Sequence, residues 1–223
     1  MNIASRLNKL QSELPEGIRL VAVSKLHDVS VIREAYDAGQ RLFGENRVQE
    51  LLPKYENLPK DIEWHFIGHL QMNKVKQIAP FIALVQSVDR LELLEELNRQ
   101  AGKNNRRIRI LLQIHIAREE HKFGFLPDEL EALLNNGLQE RLPNLLLSGL
   151  MGMATFTDDW EEIRQEFAGL SAFFTQLKTH YFVDNPDFKE LSMGMSDDYP
   201  LAIEEGSTMI RVGTKLFGTR DYH

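Results

Sequence analysis

Arg19-Leu20-Val21-Ala22-Val23-Ser24 is a short apolar run that reads as a buried strand. The stretch behind it, Ser30 to Ala38, has helical spacing and stops at Gly39. This strand-then-helix unit recurs along the chain. Arg41 to Gly44 leads into a helix beginning near Asn46, and Glu63 to Gly68 into a helix around Asn73 to Ile78. Ile82 to Val88 runs into a Leu- and Glu-rich helix for which Asp89 is the expected N-cap. In the second half, Arg107 to Ile116 precedes a helix from Pro127 to Asn135, and Leu145 to Met153 precedes a long one from Asp159 to about Thr179. Glu190 to Met193 precedes a helix from Tyr199 or Pro200 to Glu205, and Met209 to Val212 is the eighth strand. Serial βα units imply a parallel sheet covered by helices, and eight of them favour closure over an open doubly wound sheet. With a first helix at about residues 2–13, the chain reads as α/β: a single (β/α)8 TIM barrel over residues 1–223 with an extra N-terminal helix. An open α/β sheet with one or two miscounted strands is the competing architecture.

Composition narrows the function. The 223 residues carry 26 basic and 33 acidic side chains, a formal charge of −7, with 43% apolar residues, so a folded core is expected and disorder is not. The acidic balance and the absence of a basic run give no footprint for nucleic acid. Cysteine is absent, which excludes disulfides, thiolate metal sites and a cysteine nucleophile. No apolar stretch approaches the roughly 20 residues of a membrane span. Met1 to Leu7 has the polar breaks of an amphipathic helix, without a secretory apolar core, so a cytoplasmic location is expected.

In a parallel barrel, chemistry sits where strands end. The first strand ends at Lys25, an amine that partial burial would make nucleophilic. The second and third lead to Phe43-Gly44-Glu45-Asn46-Arg47 and Ile67-Gly68-His69-Leu70-Gln71, dense in polar groups. His65 and His69 stand four apart but straddle a strand end with no carboxylate in a zinc-hydrolase pattern, so no metal site is expected and His65 reads as a core histidine. Met151 and Met153 after the sixth strand suit either core filling or a wall for a flat ring. The last two junctions, Ser192-Met193-Gly194-Met195-Ser196-Asp197 and Arg211-Val212-Gly213-Thr214, place small hydroxyl residues and glycines where barrels hold phosphate. A lysine facing a phosphate cradle points to a phosphorylated carbonyl compound captured as a Schiff base. Pyridoxal 5′-phosphate (PLP) carries both groups, although an aldolase-like barrel uses the same parts.

Several segments together resemble the YggS/PROSC family of pyridoxal phosphate homeostasis proteins. These are Val21 to Lys25, Phe43 to Glu50, Trp64 to Lys74, Gly149 to Met153, Leu191 to Asp197 and Arg211 to Gly218, which run in the family's order across nearly the whole chain. The resemblance implies a single PLP-binding, alanine racemase-like barrel in which Lys25 holds PLP as an internal aldimine. It implies that Ser196, Arg211, Gly213 and Thr214 bind phosphate and ring; Asn46, Met153 and Ser192 complete the expected cofactor-binding set. Arg211 to Gly218 is also similar to an alanine racemase segment whose arginine faces the pyridine nitrogen, which implies a cofactor held but weakly armed as an electron sink. Racemases add a C-terminal β-domain with a catalytic tyrosine, for which five residues beyond Gly218 leave no room. Gln86 stands where the family usually has His, and Phe123 where a small residue is usual, which sets the loop after the fifth strand apart.

The expectation is therefore a PLP carrier, with no catalytic residue assigned, that buffers the cofactor or delivers it to PLP-dependent apo-enzymes and acts as a monomer. A single-domain amino-acid racemase is the alternative. Lys74, Lys122 and Lys215 near the mouth are candidates for a second PLP site, a transfer relay, or a basic rim that steers the anion.

Overall fold

A computed structural model describes residues 2–118 and 123–218. Eight parallel strands close in sequence order: β1 (Arg19–Val23), β2 (Leu42–Glu45), β3 (Glu63–Phe66), β4 (Leu84–Val88), β5 (Ile108–Gln113), β6 (Leu145–Met151), β7 (Glu190–Ser192) and β8 (Met209–Val212). The closing seam pairs Val21 with Arg211 and Ala22 with Val212. An N-terminal helix α1 (Ile3–Glu13) comes first, its Asn2 side chain accepting from the Ser5 amide at 2.9 Å. The outer ring is α2 (Val29–Asp37), α3 (Val48–Asn57), α4 (Val75–Ile78), α5 (Leu91–Lys103), α6 (Pro127–Asn135), α7 (Trp160–His180), α8 (Tyr199–Glu204) and α9 (Thr214–Phe217). None of these helices is long and apolar enough to cross a membrane. The (β/α)8 TIM barrel and its extra helix are thus present.

The differences from the periodicity lie at the mouth. β3, β5 and β6 stop at Phe66, Gln113 and Met151, short of the expected Gly68, Ile116 and Met153. Apolar residues persist there because Ile67 and Met153 line a cavity and Ile114 and Ile116 pack into the core, without extending a ladder. The helix expected near Asn46 starts at Val48, and the one expected around Asn73 is a 3₁₀ turn (Met72–Lys74) running into α4. Asp89 does not cap α5: the cap position falls to Arg90, and the Asp89 carboxylate is taken by His69 and Arg90 instead.

Alternation along each strand builds two cores. One face packs outward on the helices, with Ala22, Phe43, Trp64, Phe66, Ile110 and Leu150 meeting Ile32, Leu51, Leu94 and Phe167, all essentially buried. The other fills the barrel, where Val21, Leu84, Leu111, Met151 and Met209 form a small apolar plug. Below the plug, Glu190 receives Arg19 at 2.7 Å and Arg109 at 3.1 Å, which closes the N-terminal end with charges paired across the axis. β6 and β7 approach so closely that a Cβ on Gly149, whose φ is +146°, would lie 1.8 Å from the Glu190 carbonyl oxygen.

Gly149→Ala is therefore expected to cost at least about 3 kcal/mol in urea unfolding, through strain and strand separation together. Gly169→Ala in α7, where an added Cβ meets nothing within 4 Å, is expected to stabilise by roughly 0.5–1 kcal/mol in the same assay.

Candidate functional site

The strand ends converge on a cavity of about 430 Å³. Its lining joins Lys25 after β1, Asn46 after β2, Met153 after β6, Ser196 after β7, and Arg211, Gly213 and Thr214 at the end of β8. Seven of the eight residues expected from sequence thus share one wall. The eighth, Ser192, lies fully buried beneath it and touches the site only through Arg211.

Lys25 is half-buried, and the backbone on both sides of it is fixed. The Ser24 amide donates to the Gly44 carbonyl at 3.0 Å, while Leu26, in the left-handed region at φ 65°, donates its amide to Glu50 Oε2 at 2.7 Å. Beneath the turn sits a buried ion pair. Lys54 Nζ reaches Glu45 Oε1 at 2.7 Å and the Ser24 carbonyl at 2.9 Å, and the Ser24 hydroxyl donates to the same carboxylate oxygen at 2.5 Å. Burial pushes the Glu45 carboxyl above its ordinary range, and Lys54 and then the Ser24 hydroxyl pull it back. The pair ties β1, β2 and α3 together at Ser24, next to Lys25 in the chain. The sequence reading, which ended the second strand at Gly44, missed it; Glu45 directly after that strand and the Glu50/Lys54 helical spacing were its signals.

Arg211 is 4% exposed and heads a run of hydrogen bonds through the barrel. Its Nη1 donates to Ser192 Oγ at 2.6 Å and its Nη2 to the Gly152 carbonyl at 2.9 Å. Ser192 donates to Gln86 Oε1 at 2.7 Å, and Gln86 Nε2 donates to His65 Nδ1 at 2.9 Å. Burial lowers the Arg211 guanidinium to about 10, so it remains a cation at neutral pH. Burial also lowers His65 to about 3, helped by the positive charges of Arg19 and Arg109, and that ring is neutral. Because Nδ1 accepts, the hydrogen of His65 sits on Nε2, which is buried and has no partner among the described residues. Gln86, the departure noted in the sequence, is the link that joins arginine to histidine.

Beside Arg211 the Gly213 amide donates to Ser196 Oγ at 3.3 Å, which brings the two closing turns into contact. The opposite rim carries three residues the sequence did not single out as binding: Gln113, His69 and Phe123. Phe123 stacks on His69 with ring centroids 4.0 Å apart, and its carbonyl accepts from Gln113 Nε2 at 2.8 Å. Of the candidate relay lysines, Lys74 lines a neighbouring groove of about 520 Å³ that shares Asn46 and His69 with the cavity. Lys215 faces a separate cleft beside Arg6 and Lys9, its Nζ 4.6 Å from the Tyr199 ring centre. Lys122 lies outside the described residues.

Comparison with known proteins follows the same outline. The family described as alanine racemase, N-terminal domain, matches residues 1–221. A pyridoxal phosphate homeostasis protein of Aquifex aeolicus is 40% identical over 233 residues, covering 100% of both chains. That of Escherichia coli K12 is 41% identical over 212 residues, covering 93% of this chain and 88% of its own. The structure of PipY from Synechococcus elongatus with PLP bound superposes with a TM-score of 0.88 at 42% identity, covering 97% of this chain and 100% of that one. An alanine racemase of Clostridium difficile shares the fold, with a TM-score of 0.79 at 17% identity; 99% of this chain matches 57% of that one.

The buried His65 fixes the sign of an acid effect. Folded, it stays neutral down to about 3, whereas the unfolded chain takes up a proton near 6.5. The unfolded state thus binds more protons in that window, and stability is lost as pH falls through it. Between about pH 7 and about pH 5.5, His65→Gln is expected to lose about 1 kcal/mol less than the wild type, read from urea midpoints at the two pH values.

Proposed function

The chain belongs to the family of pyridoxal phosphate homeostasis proteins, and on that footing we propose that it holds PLP covalently on Lys25 and keeps it available to PLP-dependent apo-enzymes. The observation that carries this reading is the shared cavity. An amine at the end of β1 faces the same space as Ser196, Gly213 and Thr214 at the closing turns, with Arg211 between them.

The donor set fits the cofactor. PLP, when bound, supplies an aldehyde and a phosphate dianion on one flat ring. The Ser196 and Thr214 hydroxyls and the Gly213 amide, which here donates to Ser196, would supply the phosphate donors, gathered by the contact between the two turns. Met153 and Asn46 line the same cavity and would border the ring. Ser192 is a positioning residue, since it holds Arg211 and touches nothing in the cavity itself. The barrel works as one binding unit in this reading, as a monomer in the cytoplasm.

Arg211 accounts for binding without turnover. It remains a cation at neutral pH and keeps Nη1 and Nη2 committed to Ser192 and Gly152. A pyridine nitrogen set against it would stay unprotonated, and such a ring would withdraw electrons only weakly from a substrate carbon. The curated relatives are correspondingly named for homeostasis.

Purified protein mixed with PLP is expected to develop a visible absorption band that Lys25→Ala abolishes. Borohydride reduction followed by peptide mass spectrometry is expected to place the label on Lys25. A colourless wild type, or a band that survives in Lys25→Ala, overturns the assignment. Incubation of the loaded protein with L-amino acids in D2O is expected to show no sustained Cα exchange; exchange at enzymatic rates would establish the racemase alternative.

A further inference from the structure

The mouth of the cavity carries a histidine–carboxylate pair that PLP anchoring leaves without a task. His69 Nδ1 lies 2.9 Å from Asp89 Oδ2. Asp89 is 3% exposed at its side chain and is itself gripped by Arg90, which also donates to the Leu70 carbonyl at 2.9 Å. A carboxylate paired with arginine only accepts, so in the neutral ring Nδ1 of His69 carries the hydrogen and Nε2 the lone pair. The stacked Phe123 ring fixes the imidazole plane from the other side. The His69 side chain is 36% exposed, lines the same cavity as Lys25, and also borders the groove beside it. A rigid imidazole of fixed tautomer, open to solvent and facing a reactive amine, is the arrangement of a general base held by an orienting carboxylate.

We propose that His69, oriented by Asp89, is the proton-transfer group for loading and unloading Lys25. The proposal deepens the PLP reading and rests on it. His69 Nε2 takes the proton that a primary ammonium, Lys25 or an amine arriving from solvent, must lose before its lone pair attacks an aldehyde carbon. In capture, the first ammonium proton goes to Nε2, the freed lone pair forms the N–C bond as the carbonyl π bond opens, and a second nitrogen proton passes to that oxygen. The C–O bond then breaks as Nε2 returns the first proton, the oxygen leaves as water with both protons, and the third proton stays on the nitrogen. No oxidant or reductant is consumed. Release to an incoming amine runs through the same atom, with the proton passing from the arriving nitrogen to Lys25. The ligand class at the mouth is thus a primary amine, such as a lysine side chain of a recipient protein. The stacked Phe123 ring holds that imidazole in plane.

The test uses the full apo chain and an aldehyde without a phosphate, pyridine-4-carboxaldehyde, followed by stopped-flow absorbance with Lys25→Ala as the blank. His69→Ala is expected to slow capture by about tenfold or more, and added imidazole is expected to restore the rate in proportion to its concentration. Asp89→Asn is expected to slow capture as well. In ¹⁵N spectra it should convert His69 from the Nδ1–H form to a mixture of tautomers, a change that loss of packing alone does not produce. Capture by His69→Ala within about twofold of the wild type, absence of imidazole rescue, or a wild-type His69 protonated on Nε2 would overturn the proposal. Because the probe lacks the phosphate, failure of PLP retention and failure of the His69 role give separate results.

Discussion

The pairing of β1 with β8 is the constraint on which the site depends. Residues 25 and 213 are far apart in sequence, and only the register of Val21 on Arg211 and Ala22 on Val212 sets the amine beside the two closing turns. Eight strands with the helix-to-strand spacing of this chain close without edges, so the register is imposed by the whole ring rather than by any one loop. The apolar plug of Val21, Leu84, Leu111, Met151 and Met209 sits directly in that ring. A one-residue slip would turn Val21 outward and carry Lys25 and Arg211 to different faces.

Much of this architecture was legible because its determinants are local. Short apolar runs and helically spaced stretches marked all eight strands and the helices between them, and the strand-end rule then gathered Lys25, Asn46, Met153, Ser196, Arg211, Gly213 and Thr214 on one face. What escaped were pairings between distant residues. Glu45 and Lys54 are visible as charges, yet nothing in their spacing says that both are buried against Ser24. Asp89 has the residue type of a cap, and its carboxylate is drawn off by His69 across the β3–β4 mouth. Strand ends were overread for a related reason: a residue lining a cavity is as apolar as one in a ladder.

The buried polar residues divide into two systems that do different work. At the base, Arg19, Arg109 and Glu190 pair charges with one another, and this holds the strands together where no ligand enters. Near the mouth, the Glu45–Lys54 pair and the Arg211–Ser192–Gln86–His65 run hold ligand-facing groups from behind. A buried ion pair gains little net stability once desolvation is counted, so the Glu45–Lys54 pair is best understood through the fixed turn it creates.

The run from Arg211 to His65 has one further consequence. Every link points the same way, hydrogen outward from the guanidinium and inward to an imidazole too weakly basic to take up a charge. A Grotthuss hop would need each link to reverse, and no acceptor at the far end rewards the reversal. Along this run the floor of the chamber therefore offers hydrogen ions no way through.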